Sequence, residues 1–100
     1  MGFMTTSATF VDISTLIDQR PGYCDGRPFI AGTGVSVDRI AVLTTVDGLN
    51  AEEIAYEMSL SAEQVHAGLA FYYANREAIE ADLDERDRLF DEAARAHRSA

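Results

Sequence analysis

Two helix-start signals lie only eleven residues apart in this chain and constrain its fold more than any other feature. Asn50 is followed three residues later by Glu53, and Ser61 is followed three residues later by Gln64. In a capping box of this spacing, each side chain accepts a hydrogen bond from the backbone N–H of the other residue. The pattern predicts a helix over residues 51–58, a tight turn, and a further helix that begins directly after Ser61. This arrangement is a helix-turn-helix.

A shorter helix is predicted ahead of this pair. Asp38 is expected to cap or to open it, the pattern continues to about Thr45, and Gly48 ends it. Its inner face is expected to carry Ile40, Leu43 and Val46.

The helix after Ser61 has no proline and no cap signal beyond Gly68, so it is predicted to continue to about Ala96. Such a helix would be about 50 Å long, which exceeds the width of a domain of this size, so part of it must project. Its apolar positions approach heptad spacing, but Arg76 and Arg86 interrupt them, so the projecting part needs a partner. The residues expected to contact a second copy or another protein are Tyr72, Tyr73, Ile79, Leu83 and Phe90.

A glycine-rich segment precedes the first helix. Residues 27–31 and 35–37 are typical of two short strands around Gly32-Thr33-Gly34, where glycine permits positive φ angles. These strands predict a small hairpin, and residues 10–13 form a further candidate strand.

The elements together predict a mainly α fold. It has a helix-turn-helix three-helix core, a small N-terminal β-hairpin and a long C-terminal helix. We divide the chain into a flexible leader at residues 1–9, a helix-turn-helix domain with its β-element at residues 10–75, and a projecting acidic C-terminal helix at residues 76–100.

The charge of the chain limits its partners. Seventeen acidic residues against eight arginines give a formal net charge of -9, which argues against broad electrostatic capture of nucleic acid or of an anionic membrane. No apolar run has membrane-spanning length. The single cysteine, Cys24, cannot form an internal disulfide and fits a reducing compartment. We therefore expect a cytoplasmic protein in which any contact with DNA is local.

The helix-turn-helix nominates specific residues for such a contact. Side chains at the N-terminal end of a recognition helix reach base edges or phosphates. The candidates there are Ser61, Gln64 and His66, and Arg27 and Arg39 are candidates for touching a phosphate. The alternative is that the same element serves only as a packing unit and never touches DNA.

Three patterns in the sequence have part of what an enzyme site requires. Glu63 and His66 have the Glu-x-x-His spacing of helical metal sites, but such sites need a second copy that this sequence lacks. The turn at Gly32-Thr33-Gly34 lacks the remaining residues of a phosphate-binding loop. Cys24 has no neighbouring histidine to activate it as a nucleophile. We therefore expect a non-enzymatic protein with no cofactor and no bound metal.

Several blocks of the sequence, in order, resemble the bacterial family named domain of unknown function 433. They are Pro21-Gly22-Tyr23-Cys24-Asp25-Gly26-Arg27-Pro28, Ile30-Ala31-Gly32-Thr33, and the segments 48–54, 60–73 and 75–79. The resemblance implies a helical bundle with a small β-element that dimerises. It also implies an antitoxin that is paired with a PIN-like ribonuclease toxin and represses its own operon.

The sequence departs from the pattern of that family at three places. Gly34 stands where the family usually has arginine, which removes a cation beside the turn. Asp25 stands where glycine is common, and Met58-Ser59 replaces a Tyr/Phe-Pro pair. The departures weaken the case for DNA binding more than the case for the fold.

The function expected from the sequence is that of a type II toxin-antitoxin antitoxin. In this hypothesis a dimeric helix-turn-helix protein binds a PIN-like toxin and, weakly, its own operator DNA. The alternative is a structural or adaptor module that uses the same fold for protein-protein assembly and does not bind DNA.

Overall fold

The computed structural model of the chain describes residues 9–99. Within that range it contains a two-stranded sheet and four α-helices: β1 Ile17–Asp18, β2 Phe29–Ile30, α1 Val37–Thr45, α2 Ala51–Met58, α3 Ala62–Ala74 and α4 Arg76–Ser99. Two short 3-10 helices, Ile13–Leu16 and Cys24–Gly26, flank β1. The predicted fold class is confirmed. The predicted leader, residues 1–9, lies outside the described residues except for Thr9.

Both predicted capping boxes are present. Asn50 Oδ1 accepts a hydrogen bond from the Glu53 N–H at 2.8 Å, and Glu53 Oε1 accepts one from the Asn50 N–H at 2.8 Å. Ser61 and Gln64 form the same pair of bonds at the start of α3, at 3.2 and 2.8 Å. Between the helices, Ser59 adopts a left-handed conformation with φ 56°. This conformation lets the chain reverse within three residues.

The first helix begins one residue earlier than predicted, because Ser36 and not Asp38 is its N-cap. The Ser36 hydroxyl oxygen accepts a hydrogen bond from a backbone N–H of the first turn. Asp38 follows in that turn, where a negative charge favours the helix dipole. Ile40 and Leu43 are buried as expected. Val46 lies just past the end of α1 and is 75% exposed, so its expected place on the inner face is wrong.

The β-element pairs differently from the predicted hairpin. β1 and β2 are antiparallel, with Ile17 opposite Ile30 and Asp18 opposite Phe29. Residues 35–37 do not form the second strand, because Ser36 is the N-cap of α1 and makes only a single bridge to Phe29. Residues 10–12 are irregular, and Ile13 begins a 3-10 helix that Asp12 caps. A strand over residues 10–13 is therefore wrong.

The core has two parts, and α3 contributes to both. The first part lies among β2, α1, α2 and α3 and consists of Ile30, Ile40, Leu43, Ile54, Leu60 and Val65. The second lies among α1, α3 and α4 and consists of Val37, Ala41, Tyr72 and Ile79. Gly68 lets α3 pass close to α1, since a Cβ at this position would lie 2.7 Å from Ile40 Cδ1.

The C-terminal half is not one continuous helix, so that prediction is wrong. The chain breaks at Asn75, whose φ is −126° and whose ψ is 33°. The backbone N–H of Asn75 donates to the carbonyls of Phe71 and Tyr72 at 3.0 and 3.1 Å, which closes α3. Its side-chain amide also donates to the Phe71 carbonyl. α4 then continues for 24 residues, a length of about 36 Å.

None of the helices within residues 9–99 combines the length and the apolar composition that crossing a membrane requires.

Candidate functional site

The candidate DNA-contacting residues of the helix-turn-helix differ in their exposure and in their hydrogen bonds. Ser61 Oγ and Gln64 Oε1 are both engaged in the capping box, and both side chains are partly buried. His66, one turn into α3, and Arg39, on α1, are exposed. Two of the four candidates thus already serve the start of α3, which leaves the other two side chains in solvent.

The surface around these residues is acidic. Between Ile40 and Asn75 the sequence contains no lysine and no arginine. The same stretch has five acidic residues, Asp47, Glu52, Glu53, Glu57 and Glu63, and all of them are exposed. DNA binding depends on cations that neutralise phosphates. Over α2, the turn and α3, the described surface therefore carries carboxylates but no lysine or arginine.

Arg27 is held inside a group of carboxylates. Its Nε donates to Asp82 at 2.6 Å and its Nη2 reaches the second oxygen of Asp82 at 3.4 Å. Asp25 and Asp38 lie 3.3 and 3.9 Å from the guanidinium, and the side chain is only 23% exposed. The hydrogen bond with Asp82 raises the pKa of Arg27 and lowers the pKa of Asp82. Arg27 is thus not positioned as a free cation for a phosphate.

A second arginine completes this group. Arg86, one turn along α4 from Asp82, donates to Asp38 through Nη2 and lies 3.6 Å from Asp82 through Nε. Asp38 is only 11% exposed and also accepts a hydrogen bond from Ser36. We call Arg27, Asp38, Asp82 and Arg86 the ionic clamp. It joins the loop before β2, the start of α1 and the second turn of α4.

A cleft of about 360 Å³ lies beside the ionic clamp. Its walls come from the loop between the strands, from the end of α3 and from the first turns of α4. They include Gln19, Pro28, Phe71, Asn75, Ala78 and Ile79. Apolar and polar groups are mixed along these walls. Among the described residues, His, Cys, Asp and Glu side chains do not gather in threes or more as a metal site would require.

A second polar contact joins α3 to α4. The Tyr72 hydroxyl donates to Glu80 at 2.5 Å, and Arg76 Nε donates to the same carboxylate at 3.1 Å. The bond to Glu80 raises the pKa of Tyr72, and the bonds from Tyr72 and Arg76 lower the pKa of Glu80. Tyr72 is buried.

The residues expected at a partner interface divide into two groups. Tyr72 and Ile79 are buried within the chain itself, and Leu83 is partly buried against the second part of the core. Burial within the chain accounts for these three positions without a partner. Tyr73 is exposed, and Phe90 is 74% exposed. Leu89, beside Phe90, was not among the expected residues and is 50% exposed.

The sequence predicts one pair of the ionic clamp, Asp82 with Arg86, and not the others. Asp82 and Arg86 lie four residues apart on one helix, a spacing that indicates an ion pair. Arg27 and Asp82 are 55 residues apart in the chain. A local sequence pattern cannot predict a contact over that separation. Arg27 was identified for its charge, but its partners depend on how α4 packs.

Comparisons with known proteins identify one family. A family model described as "Protein of unknown function (DUF433)" matches residues 17–72, more than half of the chain. The matched segment extends from β1 into the last turn of α3 and does not include α4. No curated protein and no solved structure matches the chain.

Proposed function

The chain belongs to the DUF433 family of proteins of unknown function, and on that premise we propose that it is a non-enzymatic, antitoxin-like protein-binding module. In this proposal a cytoplasmic homodimer binds a PIN-like ribonuclease toxin through α4. The observation that carries the proposal is the exposed Leu89 and Phe90 pair on an acidic projecting helix.

The composition of α4 supports a protein partner of positive charge. The helix carries eight acidic residues and five arginines. A ribonuclease has to attract the phosphates of RNA, so its substrate-binding surface is positive. An acidic helix is complementary to such a surface, and complementary charge speeds association and orients the partners.

Exposed apolar side chains provide the other component of such an interface. Phe90 and Leu89 are adjacent in α4, beyond the ionic clamp. Large aromatic side chains that become buried at the centre of an interface commonly contribute most of the binding energy. Ala93 and Ala94 follow them and leave room for a partner to approach the helix closely.

The charge of the helix-turn-helix favours the second candidate function, an adaptor that does not bind DNA. Between Ile40 and Asn75 there are five exposed carboxylates and no lysine or arginine. These carboxylates would repel the phosphates of a DNA backbone. Operator binding therefore remains the weaker part of our proposal. Exposed Arg39 and His66 would carry it.

Co-expression with the product of the adjacent gene, followed by size-exclusion chromatography, tests the main proposal. We expect one complex in which this chain is dimeric. Phe90→Ser should abolish co-elution, whereas Val46→Ser, which replaces an equally exposed apolar residue just past the end of α1, should retain it. A chain that never co-elutes with that product would contradict the proposal.

A gel shift on the upstream region of its own gene tests the DNA component. We expect weak retardation at low salt that disappears near physiological salt and is reduced by Arg39→Gln. Gln64→Ala is a poor probe here, because it also removes half of the α3 capping box. A clear shift at physiological salt would exclude the adaptor alternative.

A further inference from the structure

We propose that α4 is a hinged arm, which the ionic clamp holds against the helical body formed by β1, β2, α1, α2 and α3, and which pivots at Asn75 when the clamp opens. This inference goes beyond the proposed function, because it concerns a motion within one chain and requires no partner.

The contacts that join α4 to the helical body are few and mainly polar. Ile79 is buried in the second part of the core, and Leu83 packs partly against it. Among residues 9–98, the polar links at this junction are the bond between Tyr72 and Glu80 and the ionic clamp. All of these side chains on α4 lie in its first half. The second half is therefore a lever that the contacts of the first half hold in place.

The joint between α3 and α4 has the features of a pivot. Asn75 leaves the helical conformation for one residue, with φ −126° and ψ 33°, so a small change in its dihedral angles redirects α4 without unwinding either helix. The cleft of about 360 Å³ lies directly beside this residue and the first turn of α4. Since close-packed interiors resist movement, the open cleft gives the first turn of α4 room to shift, and Ile79 moves with it.

The ionic clamp is sensitive to conditions that leave the core intact. Its side chains are 11 to 42% exposed, so dissolved ions screen their attraction in part, and less than they screen a fully exposed pair. The Debye length falls from about 8 Å at physiological salt to about 3 Å at 1 M. Salt does not weaken the apolar core of the helical body in this way. High salt should therefore release α4 before it unfolds the body.

A modest rotation at the hinge has a large effect at the far end of α4. Ala96 is twenty residues beyond Arg76, about 30 Å along the helix. A rotation of about 20° at Asn75 would therefore move Ala96 by about 10 Å. The exposed Leu89 and Phe90 pair would then be presented in a range of orientations.

Distance measurements between two spin labels test the hinge in the full chain. The labels would be placed at Val46→Cys on the helical body and Ala96→Cys on α4, with Cys24→Ser to remove the native thiol. Excess unlabelled protein restricts the measurement to distances within one chain. The distribution is recorded at low salt and at 1 M salt, and circular dichroism confirms that each sample is folded.

Two variants open the clamp, and a third serves as the matched control. Arg27→Gln and Asp82→Asn each remove one side of the Arg27–Asp82 pair, in which two hydrogen bonds join the loop before β2 to α4. Arg88→Gln also removes an arginine with two carboxylate partners, but those partners, Glu85 and Glu92, lie within α4 itself. The control therefore changes the charge of the helix without touching the clamp.

We expect a single narrow distance at low salt for the unaltered clamp and for Arg88→Gln. High salt, Arg27→Gln and Asp82→Asn should each broaden the distribution, and a rotation of about 20° shifts its mean by at most about 10 Å. An unchanged narrow distribution at 1 M salt and in the folded clamp variants would overturn the proposal. Equal broadening in Arg88→Gln would overturn it as well.

Discussion

Ser59 adopts a left-handed backbone conformation that its side chain does not favour. With φ 56° and ψ 46° it ends α2 and begins the turn of the helix-turn-helix. In this conformation the Cβ of a side chain clashes with the backbone, and glycine avoids the clash. Glycine also raises the conformational entropy of the unfolded chain, which offsets part of the gain. We expect Ser59→Gly to raise the free energy of unfolding in urea by about 0.5–1 kcal/mol.

Two control variants separate this effect from the loss of the hydroxyl. Ser59→Ala keeps a Cβ and should leave stability nearly unchanged. Ser59→Pro should cost at least about 3 kcal/mol, because proline fixes φ near −65°. The proline that the family resemblance suggests for Met58-Ser59 therefore cannot occupy position 59 in this backbone. Destabilisation by Ser59→Gly would contradict the interpretation.

At Gly68, α3 lies close to α1 and β2. A Cβ there would be 2.7 Å from Ile40 Cδ1 and 3.2 Å from Ile30 Cδ1, and both isoleucines are fully buried. Helix propensity favours Gly68→Ala by about 1 kcal/mol, but forcing a methyl group into a packed core costs about 1–3 kcal/mol. We expect the variant to be less stable in urea denaturation.

The double variant Gly68→Ala with Ile40→Val tests the cause. Ile40→Val removes the methyl group that the new Cβ would meet, so the two changes together should cost less than the sum of their separate effects. Additive costs would show that the overlap with Ile40 is not what destabilises Gly68→Ala.

At the scale of elements, the two capping boxes fix where α2 and α3 begin. Removing a capping side chain leaves a backbone N–H without its acceptor and typically costs about 1 kcal/mol. We expect Asn50→Ala and Ser61→Ala each to lower the free energy of unfolding by about that amount. Glu57→Gln, on an exposed position of α2 with no capping role, should stay within about 0.5 kcal/mol of the unaltered chain.

The helix boundaries could be predicted where side chains themselves define them. Asn50 and Ser61 satisfy local backbone groups, and the same residues carry the signal in the sequence. The break at Asn75 could not be predicted in this way, because no glycine or proline marks it. The pairing of β1 with β2 could not be predicted either, because strands of two residues are too short to show an alternating pattern.

For the candidate site, the sequence identified the charges but not their partners. Arg27 was selected as a cation for a phosphate, and its carboxylate partners come from three separate parts of the chain. Whether Asp82 meets Arg27 depends on the angle at which α4 leaves α3. That angle is set by one residue, Asn75, and by the packing of Ile79 and Leu83.

At the scale of the whole molecule, charge is distributed unevenly. All eight arginines lie before Ile40 or after Asn75. The segment between these two residues contains carboxylates but no arginine or lysine. The ionic clamp therefore binds the two arginine-bearing ends of the chain to each other across an acidic centre. This pattern makes the attachment of α4, rather than the helix-turn-helix, the part of the molecule that depends most on ionic conditions.

The same distribution predicts how stability changes in acid. The hydrogen bond with Arg27 holds the pKa of Asp82 below its ordinary value of 3.8. A depressed carboxylate pKa contributes stability that is present above pH 3.8 and is lost as the pH falls through the lower, folded value. We expect the free energy of unfolding in urea to decrease below about pH 4 and to decrease less steeply in Arg27→Gln, where Asp82 loses this partner.

Arg88→Gln keeps the Arg27 pair and should retain the slope attributable to Asp82. If the free energy of unfolding falls with decreasing pH equally steeply in Arg27→Gln and in the unaltered chain, Asp82 does not link folding to pH.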